Sequence, residues 1–322
     1  MRMHLRPFVV LMFGVMWLSC DGEADQTDAT AEPVVLAANQ FSFTEHRNRV
    51  ILPVRINNSR EINTILDSGM PIEGIYLFRA GMEQELALPN VREVRVPGAG
   101  DGEASQAKQF LDAKLSMGEM VFDSQMVVIA QSDFVQNFHN EGVLGQTLFG
   151  HYAVEVDWDR MVVTLHDPGT FQPDSTWEVL PLTFNEKGTA FVEAFVSVNG
   201  EDEIPVTMYL DIASGDDLEL LIRENQKFAL PENLEEKYLG TGLSGDIHGY
   251  EGQVASFRLG PFELANVVTA FSPAEIRSRQ GDADGIIAGG TLRNFNVVYD
   301  WLGRRLCLKP NGRFNGSTTG EV

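Results

Sequence analysis

The stretch NTILDSGMP, residues 63–71, carries an apolar run, Ile65 and Leu66, into Asp67, Ser68 and Gly69. An acid at the end of an apolar strand, with a hydroxyl and a glycine behind it, has two readings. It is a tight turn, or it is one half of a carboxylate pair. A lone Asp in this setting is more often a turn residue, so the decision rests on a second copy. That copy exists: MYLDIASGDDLELL, residues 208–221, puts Asp211 behind an apolar strand 144 residues after Asp67.

The rest of the chain repeats with it. GVLGQTLFGHYAVEVDWDRMVVTLHDP, residues 142–168, aligns without a gap on GIIAGGTLRNFNVVYDWLGRRLCLKPN, residues 285–311. Gly142 meets Gly285, Tyr152 meets Phe295, Asp157 and Trp158 meet Asp300 and Trp301, and Leu165 meets Leu308, all at an offset of 143. Each half therefore reads as a hairpin, an Asp turn, a middle hairpin and a unit ending in Asp-Trp. The halves part near HDPGTFQPDST, residues 166–176, where Pro, Gly and polar residues gather. Short β-branched runs such as RVILPVRI, QMVVIA and RMVVTLH, punctuated by Gly, Pro and Asn, read as strands. PAEIRSRQ, residues 273–280, is a short helix candidate.

Bulk properties exclude several classes. The 322 residues carry 46 acids against 24 bases, a net charge of −22 that repels phosphate backbones and argues against nucleic-acid binding. The six histidines and two cysteines form no metal-ligand spacing, so no metal or cofactor is expected. Asp157 and Asp300 read as structural acids that bond to backbone, GDADG at 281–285 as a solvated loop, and Cys307 as a buried free thiol.

The N-terminus reads as a targeting segment. Arg2 and Arg6 precede an apolar run over residues 8–18, which is shorter than the about 20 residues a membrane span needs and fits a signal peptide. Its end, WLSC, resembles a bacterial lipobox, with Trp17 where Leu is usual. That resemblance implies lipidation at Cys20 and an exported envelope protein, with plain secretion as the alternative. Residues 21–40, acidic and without aromatics, read as a disordered tether.

Taken together, the motifs resemble those of the two-lobed aspartic proteases of the pepsin and retropepsin-like group, in particular its bacterial retropepsin-like members. LDSG with GVLG carries the resemblance in the first half, and LDIA with GIIAGGTLRNFNVVYDW in the second. It implies an all-β fold of two homologous acid-protease-like β-barrel lobes, residues 41–168 and 178–314, related by a pseudo-twofold with a cleft between them. Residues 169–177 would be the linker and 315–322 a tail. It further implies that Asp67 and Asp211 form a catalytic dyad acting on an extended peptide or protein substrate. Ser68 would bond across the lobes, Gly69 would let the turn close, Gly145 would pack beneath it, and the hairpin holding Gly98, Gly100 and Gly102 would be the flap. The implied protein is monomeric and meets a membrane only through its lipid.

The second half departs from this pattern. Ile212 stands where a hydroxyl is expected, and Ala213 and Ala288 stand where glycines are expected. If the turn needs positive φ, each Ala costs roughly 1 kcal/mol or more. A register using Ser214 and Gly215 recovers the hydroxyl and glycine but offers no Asp directly before the Ser. Two functions follow: a peptidase, or a protease-fold lipoprotein that binds peptide or protein without cleaving it.

Overall fold

The apolar runs become strands because their β-branched residues alternate between a packed and a solvated face, or are buried on both faces. In the computed structural model, which describes residues 36–277 and 283–318, the described residues form three sheets. An eight-stranded sheet belongs to the first half and a nine-stranded sheet to the second. A six-stranded sheet takes strands from both. The candidate helix at 273–280 is instead the end of a long strand, Phe262–Pro273, and a 3-10 turn, Ala274–Ile276; its last three residues lie outside the described residues.

The shared sheet makes the internal repeat visible. Ala153–Asp157 pairs antiparallel with Phe295–Asp300, its own counterpart, with Val154 opposite Tyr299 and Val156 opposite Val297. The pairing reads the same from either half, so a pseudo-twofold runs through it. Val154, Val156, Val297 and Tyr299 are buried in a core continuous through both lobes.

Each lobe positions its Asp in the same way. Ile62–Leu66 lies parallel to Gly142–Leu144, which runs antiparallel to Gly74–Leu77. Ile204–Asp211 lies parallel to Gly285–Ala288, which runs antiparallel to Leu218–Ile222. In both, the chain leaves the first strand, turns through the Asp motif, and returns on the far side of the short middle strand. Leu66 and Leu210, the residues before each Asp, are 0% and 1% exposed. Truncating either to Ala would cost about 2–5 kcal/mol, so each turn is held from below by the core.

A buried acid closes each of these units. Glu141 accepts the Asn63 N–H at 3.1 Å, and Asp284 accepts the Thr207 N–H at 2.8 Å. Arg60 pairs with the first and Lys227 with the second. Asp284 is thus not a residue of a solvated loop: it is 8% exposed, because its carboxylate serves a backbone donor that the sheet leaves unpaired.

Smaller readings resolve in the same terms. Asp157 accepts the Arg160 N–H, and Asp300 accepts the Gly303 N–H and pairs with Arg305, which are structural roles. Cys307 is a buried free thiol in Arg305–Pro310, and burial pushes it up to about 11. Cys20 lies outside the described residues, as does the candidate tether up to residue 35. The end of that tether is ordered, with Gln40 opening strand Gln40–Ser42, and in the tail Ser317–Thr318 pairs with Phe262–Pro273.

Candidate active site

Asp67 ends its strand with its N–H on the Leu144 carbonyl, and its Oδ1 accepts the Gly69 N–H at 2.7 Å. Asp211 closes the other strand, and its Oδ1 accepts the N–H groups of Ala213 at 3.0 Å and Ser214 at 3.2 Å. Each turn thus aims backbone donors at its own carboxylate. This fixes the side chain and favours the charged form.

Ser68 joins the two turns across the lobes. Its Oγ donates to the Leu210 carbonyl at 2.8 Å and accepts the Ile212 N–H at 3.2 Å. Those two backbone groups flank Asp211. The residue next to one acid therefore grips the chain on both sides of the other, and the two Asp turns face each other at the lobe boundary.

No family model matches the chain, and no curated protein matches it. Among solved structures, the crystal structure of aspartic proteinase from Irpex lacteus is similar, with a TM-score of 0.50 and 12% identity. The match covers 87% of this chain and 99% of that one. The chain has the fold of an aspartic proteinase.

Within the aspartic proteinase fold, the altered second motif keeps its turn. Ile212 cannot return the cross-lobe bond that Ser68 makes; its side chain is 3% exposed and packs into the main core. Other cross-lobe contacts hold the turn from the N-terminal side. Arg49 Nε donates to the Ala213 carbonyl and Asn48 Nδ2 to the Gly215 carbonyl, both at 2.6 Å. Both residues sit at the tip of the hairpin of Thr44–His46 and Arg49–Ile56, where Arg47 and Asn48 have φ of 50° and 64°, the sign that two-residue hairpin turns with positive φ at both positions require.

The condition for strain at Ala213 and Ala288, a positive φ, is not met. Ala213 is not among the positive-φ residues, and Ala288 has φ −101°. Gly69 has no positive φ either, so its glycine serves space and not dihedral freedom. Gly145 does pack beneath its turn as expected: a Cβ there would meet Met70 Cβ at 2.6 Å. In the second lobe that duty passes to Gly289, where a Cβ would lie 2.9 Å from the Ser214 carbonyl oxygen. The reason is one missing residue. Asp67 is eight residues before Ile75, while Asp211 is seven before Leu218, and Ile75 and Leu218 hold equivalent register positions.

The hairpin expected to be the flap is formed by Arg92–Val96 and Ser105–Met117, with Gly98, Gly100 and Gly102 at its tip. The other lobe has its own middle hairpin, Glu235–Gly242 with Gly245–Leu259. The tips meet. The Gly98 N–H donates to Ser244 Oγ, the Gly102 N–H to the Ser244 carbonyl, the Ser244 N–H to the Ala99 carbonyl, and Ser105 Oγ to the Leu243 carbonyl. The Gly100 N–H reaches the Ile276 carbonyl. Leu243 packs on the apolar cluster of Ile65 and Met70, which also takes Ala213, so the joined tips roof the residues flanking both Asp turns. Surface concavities of about 630, 670 and 360 Å³ are lined by neither Asp; the last borders the Asp211 turn at Gly215, Asp216 and Asp217. The second tip was present in the sequence as GTGLSGD, but nothing in one sequence says which hairpin tips touch.

Electrostatics separate the two acids' surroundings. Burial pushes the Asp211 carboxyl up from the usual range; Arg277 and the turn's N–H groups pull it back, and Glu219 adds to the rise. Asp216 is raised by burial and by Glu219, and Asp217 by burial. Arg277 forms an ion pair with Glu219, which is 1% exposed and also accepts from Ser272. Burial lowers Arg49, against the attraction of Asp211 and Asp216. Among the described residues no group of His, Cys, Asp and Glu could hold a metal ion.

Proposed function

We propose that the chain is an aspartic-type peptidase in which Asp67 and Asp211 share one proton and activate water against a peptide bond. The observation that carries this is the Ser68 grip on the backbone either side of Asp211, with each carboxylate held by N–H groups of its own turn. Two close carboxylates cannot both ionise cheaply, so the pair holds one shared proton to higher pH than a lone carboxylic acid would.

The ionised member takes a proton from water as the water oxygen bonds to the carbonyl carbon. The neutral member gives its proton to the carbonyl oxygen, and a neutral gem-diol forms. On collapse the newly protonated acid gives its proton to the nitrogen as the C–N bond breaks. A diol hydroxyl returns a proton to the other acid, so the pair ends as it began. The substrate is an extended peptide beneath the two tips, which must part to admit it.

The retropepsin-like subtype belongs to this reading through the LDSG and GIIAGGTLRNFNVVYDW motifs. With it go an exported monomer, lipidated at Cys20 or else secreted; metabolic lipid labelling of wild type and Cys20→Ser separates these two. The activity is tested by incubating the mature protein with a mixed peptide library from acidic to neutral pH. Cleavage lost in both Asp67→Asn and Asp211→Asn is the expected outcome. Peptide binding without cleavage would instead establish the non-cleaving binder.

A further inference from the structure

Tyr209 is two residues before Asp211 on the same strand, so its side chain leaves the same face as the Asp. It is 4% exposed and packs with Phe191, Leu221, Ala283 and Ile286. Its hydroxyl crosses the lobe boundary. A Cβ built on Gly69 would overlap the Tyr209 hydroxyl, touch its Cζ at 3.0 Å and lie 3.2 Å from Asp67 Oδ1. The phenol oxygen and the Asp67 carboxylate therefore crowd the same point, and the absent Gly69 side chain is what admits them both. At the equivalent place in the first lobe stands Ile65, whose cluster takes the Ala213 methyl. A hydroxyl thus reaches one side of the pair and a hydrocarbon the other.

We infer that Tyr209 is a positioning residue that donates a hydrogen bond to Asp67 and so makes Asp67 the ionised member of the pair, leaving the shared proton on Asp211. This rests on the peptidase reading for its catalytic meaning, though not for its chemistry. A buried hydroxyl aimed at a carboxylate stabilises the anion and lowers its proton affinity. The burial that raises Asp211 acts in the same sense. The charged groups that act on Asp211 are Arg277 and Glu219, and Arg49, whose guanidinium holds the Ala213 carbonyl from the first lobe, is drawn to Asp211 and Asp216. None of these belongs to the Tyr209 strand, so a change confined to the phenol isolates its part. Asp67 would then be the base that takes the proton from water, and Asp211 the acid beside the carbonyl oxygen.

The test is a ¹³C titration of the Asp carboxyls in the full mature chain, with the Asp67 signal assigned by its loss in Asp67→Asn. In Tyr209→Phe the Asp67 titration should move to higher pH by about one unit, a roughly tenfold gain in proton affinity. The acid limb of the cleavage profile should move with it. Should Tyr209→Phe fold poorly, site-specific 3-fluorotyrosine at 209 keeps the shape and strengthens the donor, and should move Asp67 to lower pH. An Asp67 titration unchanged by both overturns the inference, even if cleavage still needs both acids. A shifted titration in a protein that cleaves nothing sustains it, while removing the peptidase reading.

Discussion

Ser68 and Ile212 hold equivalent places in the repeat, and the two show how much one hydroxyl decides. Ser68 supplies a donor and an acceptor to the opposite turn; Ile212 supplies only buried hydrocarbon. Ser68→Ala leaves the Leu210 carbonyl and Ile212 N–H without this partner, and should cost about 1–3 kcal/mol in urea unfolding. Cleavage should fall by more than the stability loss explains, since Asp211 is then held less firmly. Asp211 makes a second, signed expectation. Its folded pKa is raised above the unfolded value, so its contribution is fully present below the unfolded pKa and is lost as pH rises through the folded one. Asp211→Asn should therefore gain stability relative to wild type between acid and neutral pH, measured as the difference in midpoint at the two ends. A wild-type deficit that shrinks as pH rises would contradict the raised value. At this scale the sequence was legible for Asp67, Ser68 and Asp211, which the repeat marks. It was misleading for Ala213 and Ala288, because residue identity does not reveal φ, and the turn proves not to need the left-handed region.

At the level of elements, the repeat revealed the hairpins and the Asp turns, since both leave a period-two pattern with turn residues between. It did not reveal the four-residue helices Gln146–Phe149 and Gly289–Leu292, which are too short to show a helical period. Nor did it reveal the meeting of the two middle hairpins. Gly98, Ala99 and Gly102 of one tip exchange hydrogen bonds with Ser244 of the other, bonds that hairpin tips in solvent would lack. With each net bond worth about 0.5–1.5 kcal/mol, these bonds favour the closed arrangement before substrate arrives. Amide exchange should show this directly. The Gly102 and Ser244 N–H groups should be protected in the free protein, and Ser244→Pro should expose both tips together. Fast exchange at those amides in wild type would mean that the tips stand apart in solution.

For the whole molecule, the six-stranded sheet is the controlling feature. The lobes are joined by backbone pairing between Ala153–Asp157 and Phe295–Asp300, and one apolar core runs through both. Separating them would unpair a central strand on each side and expose that core. Unfolding should therefore be a single transition, with near-ultraviolet dichroism from the tryptophans and far-ultraviolet dichroism from the strands superposing on one urea curve. Two resolved steps would show that the lobes are thermodynamically independent. The linear order of the repeat foretold two lobes. It could not foretell that the last unit of each half would leave its own lobe to build a common floor.

That floor has a genetic consequence. Ala153–Asp157 faces Phe295–Asp300 as one subunit of a symmetric dimer would face an identical subunit. In such a dimer every substitution is made twice, and a change to one acid's neighbour is a change to both. Joining the halves in one polypeptide lifts that constraint. Ser68 can remain while Ile212 goes apolar, and Tyr209 can grow into the gap left by Gly69 while Ile65 stays small. An unequal pair of acids, each with its own surroundings, is accessible only to a chain that encodes its two halves separately.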